Sequence, residues 1–298
     1  MLLELRRAAL FARRRYWRGT NRLRLLPTFL IIGTQTAATL PLFRALRRHP
    51  EVAGPRRAHE NISLSSELHF FDLNFARGIN WYRSCFPLVA RRFWWRRRGR
   101  DLLAGEATPA YLFHPAVPDR VAATLPDVQL IALLRDPIER AYWDYDSRHL
   151  RGLELLSFED ALAAEAEGAA RGDAAGRSNP RSHGPYAYVE RGLYADQLER
   201  WLTFFPRDQL LVLRAEDFVT RPSDTYAIVL DFLGLAGRKP PPIQLPRWTP
   251  APIEPALRVR LEERFAEPNA RLARLLGQDF GWDSRPAGAT EAAARSPS

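Results

Sequence analysis

Cysteine is almost absent from this 298-residue chain: Cys85 stands alone, which excludes an intramolecular disulfide framework and any zinc site built on several cysteines. Lysine is just as scarce, with Lys239 the one example. Long apolar runs are missing too. The stretch around Leu25 to Ile32 is far shorter than the roughly 20 residues that cross a bilayer, so no transmembrane segment is expected. Arg13, Arg14 and Arg15 interrupt the apolar region near the start, which argues against a secretory signal. No spacing of His, Asp or Glu reads as a metal site. The phosphate-loop pattern GxxxxGK[ST] is also missing, which disfavours the nucleoside triphosphate kinases and ATPases. Together these absences point to a cytoplasmic setting, with peripheral attachment to a membrane as the variant of it.

What is present builds a large core. Hydrophobic residues make up 46% of the chain and 8 are Trp, and a chain of this length buries about three quarters of its unfolded surface. The net charge of +10 is concentrated in two places. Residues 1–24 hold eight Arg against Glu4, and residues 91–100 (RRFWWRRRGR) hold six Arg and no acid. The rest of the chain is slightly acidic, so two local anion-binding surfaces are expected and not a generally cationic protein.

The hydrophobic pattern alternates between short buried runs and helical periods. PTFLIIG reads as a buried strand over 29–32 that turns at Gly33, followed by a helix through Leu42, Phe43 and Leu46. Strands are also expected over 102–106, 128–134 and 209–213, and helices over 138–150, 157–169, from Tyr194 to Phe205, over 226–233 and from 255 onward. Such alternation predicts one α/β domain, a parallel sheet flanked by helices, with ligands at the carboxyl ends of the strands. Residues 1–24 read as a separate basic helix, 25–283 as the domain and 284–298 as a disordered tail. Residues 170–185 read as a mobile loop, and 240–255 as a proline-rich surface connection.

Six segments in order, FLIIGTQTAATLPLFRALRRHPEV, SELHFFD, GINWYRSCFP, GEATPAYLFHP, LIALLRDPIERAYWDY and RGLYADQLERWLTFFPRDQLLVLRAEDF, resemble the sulfotransferase family, bacterial relatives of the heparan sulfate enzymes in particular. The resemblance implies a P-loop-like fold that binds 3′-phosphoadenosine 5′-phosphosulfate (PAPS) and moves its sulfuryl group to a hydroxyl or amine of a carbohydrate or other small acceptor, without a metal. It implies Glu67 as general base, with His69 as the reserve, since residues two apart on an extended segment face one side. It places Gly33, Gln35, Thr36 and Thr39 at the 5′-phosphosulfate, Arg135 at the 3′-phosphate, and Arg191, Gly192 and Tyr194 in the segment that closes the nucleotide site. Asp136 and Arg140 have the spacing of a structural helix pair.

Three departures from the family pattern fall at the cofactor site. Thr36 stands at a basic position, Ala37 and Ala38 stand at two glycines, and Trp143 stands where a serine joins the arginine. Loss of one electrostatic stabiliser costs roughly 2.7 to 4 kcal/mol, and an alanine forced left-handed costs about 1 to 2 kcal/mol. Trp143 has two readings, a ring stacked on adenine or a groove tryptophan. A catalytically silent member that binds a nucleotide, glycan or partner is the competing expectation. A nucleic-acid or membrane-surface binder acting through the two basic segments is a third, with nucleic acid disfavoured because no recognised module is present.

Overall fold

The computed structural model describes residues 16, 19–55, 67–170, 187–237, 240–243 and 251–282. Five strands form one parallel sheet among them: β1 (Phe29–Gly33), β2 (Val52–Ala53), β3 (Leu103–Ala107), β4 (Gln129–Leu134) and β5 (Leu210–Arg214), in the order β2-β3-β1-β4-β5. β1 and β4 are covered on both faces, which is why they read as unbroken apolar runs. Their side chains alternate between two cores. Leu30 and Ile32 of β1 join Leu130, Ala132 and Leu134 on one face, whereas Phe29 and Ile31 join Ile131 and Leu133 on the other.

The described helices are α1 (Thr39–Leu46), α2 (Ile79–Ser84), α3 (Val89–Arg96), α4 (Val117–Thr124), α5 (Pro137–His149), α6 (Phe158–Ala170), α7 (Tyr194–Leu202), α8 (Ala215–Thr220), α9 (Pro222–Phe232) and α10 (Pro255–Leu276). α1 and α9 cover one face through Leu42, Phe43, Tyr226 and Val229. α7 and α10 cover the other through Leu198, Trp201 and Leu272. A third cluster, with Ile138, Tyr145, Phe158 and Phe265, ties α5, α6 and α10 together beyond the sheet.

The four expected strands are present within one residue of their expected ends, and β2 is an additional two-residue edge. The apolar signal did not mark α2, α3, α4 or α8, because none is longer than eight residues and the apolar residues of α3 are interleaved with arginine. Most of residues 1–24, the 170–185 loop and the 284–298 tail lie outside the described residues. Near the start, Tyr16 and Gly19 are helical and a single turn of 3-10 helix follows at Asn21–Leu23.

Candidate functional site

In an open parallel sheet, ligands bind where the strand order reverses about the first strand. Here that crevice lies beyond β1 and its neighbours β3 and β4. Gly33 ends β1 opposite Ala132, and Arg135 follows β4 directly. The two come together, as the sequence predicts: Arg135 Nη1 donates to Thr36 O at 3.1 Å. A Cβ on Gly33 would lie 2.6 Å from the Leu112 Cβ, so this strand end accepts no side chain.

Residues 34–38 form the turn into α1. Two of them are left-handed, Thr36 at φ 65° and Ala38 at φ 57°, although neither is glycine. The β-branched Thr36 is the costlier of the two. Ala37 has an ordinary backbone and is buried in the core beneath α1. Thr39 and Leu40 open α1, so their amides lack intrahelical acceptors and face outward from the helix terminus. Thr36 Oγ1 donates to its neighbour's carbonyl, Gln35 O, at 2.6 Å. The turn therefore carries no cationic side chain of its own, and guanidinium groups reach it from elsewhere.

Arg135 is one of these. Its guanidinium lies 4.0 Å from the centre of the Trp143 ring, and Tyr194 donates its hydroxyl to Arg135 O at 2.7 Å. The half-buried Trp143 thus holds the arginine by a cation–π contact. Arg191 is the second, with Nη1 donating to Gln35 Oε1 at 2.9 Å and the guanidinium over the Phe113 ring. Burial pulls Arg191 down to about 10, still a cation at neutral pH. Arg191, Arg140, Thr34, Gln35 and Phe113 bound a small pocket. Arg140 and Arg191 each keep a buried Nε without a partner among the described residues. Unpaired buried donors of positive charge beside a helix terminus suit an anionic group.

Gly192 has a packing role. A Cβ there would approach Phe265 and Pro137 to 2.9 Å, so it lets α5 and α10 close on the turn before α7. The Asp136–Arg140 pairing does not form. Asp136 caps α5 by accepting from the Ile138 and Glu139 amides, and Arg140 turns to Asp144 at 3.5 Å and to the Tyr188 carbonyl.

Glu67, His69 and Asp72 form a second group. His69 Nε2 lies 3.1 Å from Glu67 Oε2, and Nδ1 lies 2.7 Å from Asp72 Oδ2. Both ring nitrogens face carboxylates, so both must donate and the ring must carry two protons. Burial pulls the imidazole down, but hydrogen bonds and charge from Asp72 and Glu67 outweigh it and push the ring up to about 10. His69 is thus held in its protonated form at neutral pH, with both nitrogens committed to carboxylates. Glu67 is part exposed and keeps Oε1 unpaired among the described residues.

Sequence reasoning missed the support beneath this group. Tyr111 OH accepts from the Phe70 amide at 2.8 Å and donates to Glu106 Oε1 at 3.1 Å. Tyr82 and Thr108 donate to the same carboxylate, at 2.5 and 2.9 Å. Burial raises Glu106 to about 7, against these three donors. The available signals were the His-x-x-Asp spacing of His69 and Asp72, and a glutamate inside the otherwise apolar strand β3.

No protein-family model matches the chain. Heparan sulfate glucosamine 3-O-sulfotransferase 6 of Homo sapiens is 32% identical over 284 residues, covering 87% of this chain and 74% of its own length. The membrane-associated sulfotransferase kil1 of Dictyostelium discoideum is 25% identical, covering 89% and 68%. Among solved structures, a sulfotransferase from Alicyclobacillus acidocaldarius superposes with a TM-score of 0.66 at 28% identity, over 87% of this chain and 100% of that one. With 32% identity sustained over most of both sequences and a matching overall structure, the chain belongs to the sulfotransferase family.

Proposed function

We propose that the chain transfers a sulfuryl group from PAPS to a hydroxyl of a carbohydrate, with Glu67 taking the acceptor proton. The supporting observation is the Glu67–His69–Asp72 group: one carboxylate oxygen is held by an imidazolium and the other is left toward solvent. An acceptor hydroxyl hydrogen-bonded to Oε1 would lose its proton to Glu67 as its oxygen bonds to sulfur. PAPS, when bound, supplies the activated sulfuryl group, leaving 3′-phosphoadenosine 5′-phosphate. The amides at the start of α1, Gln35, Thr39, Arg135 and Arg191 would hold its anionic groups, and the carbohydrate acceptor follows the relatives' names.

Two measurements test this reading. Calorimetry with 3′-phosphoadenosine 5′-phosphate is expected to show binding that Arg135→Ala weakens. Transfer from sulfur-labelled PAPS to heparan-type oligosaccharides is expected for the native chain and not for Glu67→Gln. Nucleotide binding with no transfer to any of a broad panel of carbohydrate and hydroxylated acceptors would sink the enzymatic reading in favour of a silent binding protein.

A further inference from the structure

The most arginine-rich part of the described fold lies on α3, away from the crevice. Its inner face is accounted for: Trp95 packs against the main core, Arg92 binds Asp101 through two contacts of 2.6 Å, Arg96 joins the same carboxylate, and Arg100 approaches Glu51 at 3.4 Å. The outer face has no such partners. Val89 is 46% exposed, Phe93 60% and Trp94 49%, on consecutive turns of one short helix. Arg97 lies over the Phe93 ring at 5.2 Å and Arg98 over Trp94 at 3.4 Å. Arg91, Arg97 and Arg98 have no acidic partner among the described residues.

The chain enters the fold beside this helix. Arg24 forms an antiparallel bridge with Leu88, the residue before α3, and the Leu25 amide donates to Pro87 O at 2.9 Å. Leu23, one residue before this bridge, is 63% exposed. The described end of the first arginine-rich segment, Arg22 to Arg24, thus lies beside the start of α3. We propose that the outer face of α3 is a docking face for an anionic lipid bilayer.

Charge and apolarity select this occupant together. Exposed aromatic and aliphatic side chains flanked by arginine match an interfacial element whose apolar side enters the headgroup boundary while guanidinium groups meet lipid phosphates. A second copy of the chain in a two-fold contact would set arginine against arginine. An anionic polymer would engage the guanidinium groups and leave Val89 and Phe93 in water.

The test is sedimentation of the full chain with phosphatidylcholine vesicles, with and without phosphatidylserine. Binding to the anionic vesicles alone is expected, weakening as salt rises. Joint Phe93→Ser and Trp94→Ser substitution is expected to weaken it by about tenfold or more, with retention on a heparin matrix and the thermal midpoint unchanged. Arg97→Glu with Arg98→Glu is expected to reduce both retention and vesicle binding. Val89→Ser probes the same ridge by a milder change. The proposal fails if the native chain ignores anionic vesicles at low salt, or if the aromatic double variant binds them as the native chain does. It fails equally if the native chain is held by heparin or nucleic acid alone, which would assign the face to a polymer.

Discussion

The two residue groups that the proposed reading joins as donor and acceptor sides are built differently. On the proposed acceptor side, Glu67, His69 and Asp72 touch one another through side chains, and Glu106 and Tyr111 fix the backbone that carries them. On the donor side, the turn from Thr34 to Ala38 has no charge of its own and two left-handed residues with side chains. Its cations, Arg135 and Arg191, come from two other parts of the chain and grip Thr36 O and the Gln35 side chain. Chemistry assembled within one short segment tolerates little substitution. Chemistry assembled from distant segments leaves individual positions such as Thr36 free to vary.

The strongest way to break the comparison is to remove the base. Glu67→Gln is expected to lower kcat by about 10²- to 10⁴-fold, the usual worth of a positioned acid or base, with affinity for 3′-phosphoadenosine 5′-phosphate unchanged. A matching loss of nucleotide affinity would mean that the two sides are not separable. Arg135→Ala should give the opposite split. Loss of a charged hydrogen bond, worth about 1.5 to 3 kcal/mol, predicts roughly ten- to hundredfold weaker nucleotide binding by calorimetry. Trp143 loses its stacked cation in the same variant, so its fluorescence should change in the free protein.

The donor side is the one that admits improvement. Thr36→Lys places a cation on the turn itself, and sulfuryl transfer or slow PAPS hydrolysis is expected to rise by about tenfold, a cautious fraction of such a stabiliser's worth. Unchanged rates in an active enzyme would show that Arg135 or Arg191 already supplies the charge.

The sheet was legible because its central strands are covered on both faces, and VQLIALL and FLIIG state that directly. The meeting of Gly33 and Arg135 followed from parallel strands ending at one edge. The setting of His69 was not legible, because it depends on Asp72 as well as Glu67, and two-residue spacing on an extended strand does not describe a residue at φ 47°. Gly192 reads as part of a nucleotide motif in sequence, but its neighbours in space, Phe265 and Pro137, come from helices far apart in the chain. Contacts of that kind leave no local pattern.

Glu106 offers a smaller test of the acceptor side. Its folded value, raised to about 7 by burial, exceeds its ordinary 4.5. Between those values the folded state binds more protons than the unfolded one, so this group's contribution is fully present below about 4.5 and is lost as pH rises through 7. Glu106→Gln should flatten the denaturant-measured stability over that window. A slope identical to the native chain's would mean that Glu106 ionises freely in the fold.

The smallest expected effect separates the two alanines of the turn, Ala37 and Ala38. Ala38 sits at φ 57°, ψ 24°, where a Cβ costs about 1 to 2 kcal/mol, while glycine brings a larger loss of chain entropy, roughly 0.5 to 1 kcal/mol, on folding. The difference favours Ala38→Gly by about 1 kcal/mol or less. Ala37 lacks the strained backbone and has a buried methyl in the core beneath α1, so Ala37→Gly incurs the entropy and loses the packing. Thermal unfolding should therefore move up for Ala38→Gly and down for Ala37→Gly. Equal shifts of one sign would contradict the backbone geometry of the turn. Opposite shifts without a change in nucleotide affinity would mean that the strain at Ala38 is a cost to the fold alone, and that the donor side lacks charge more than it lacks flexibility.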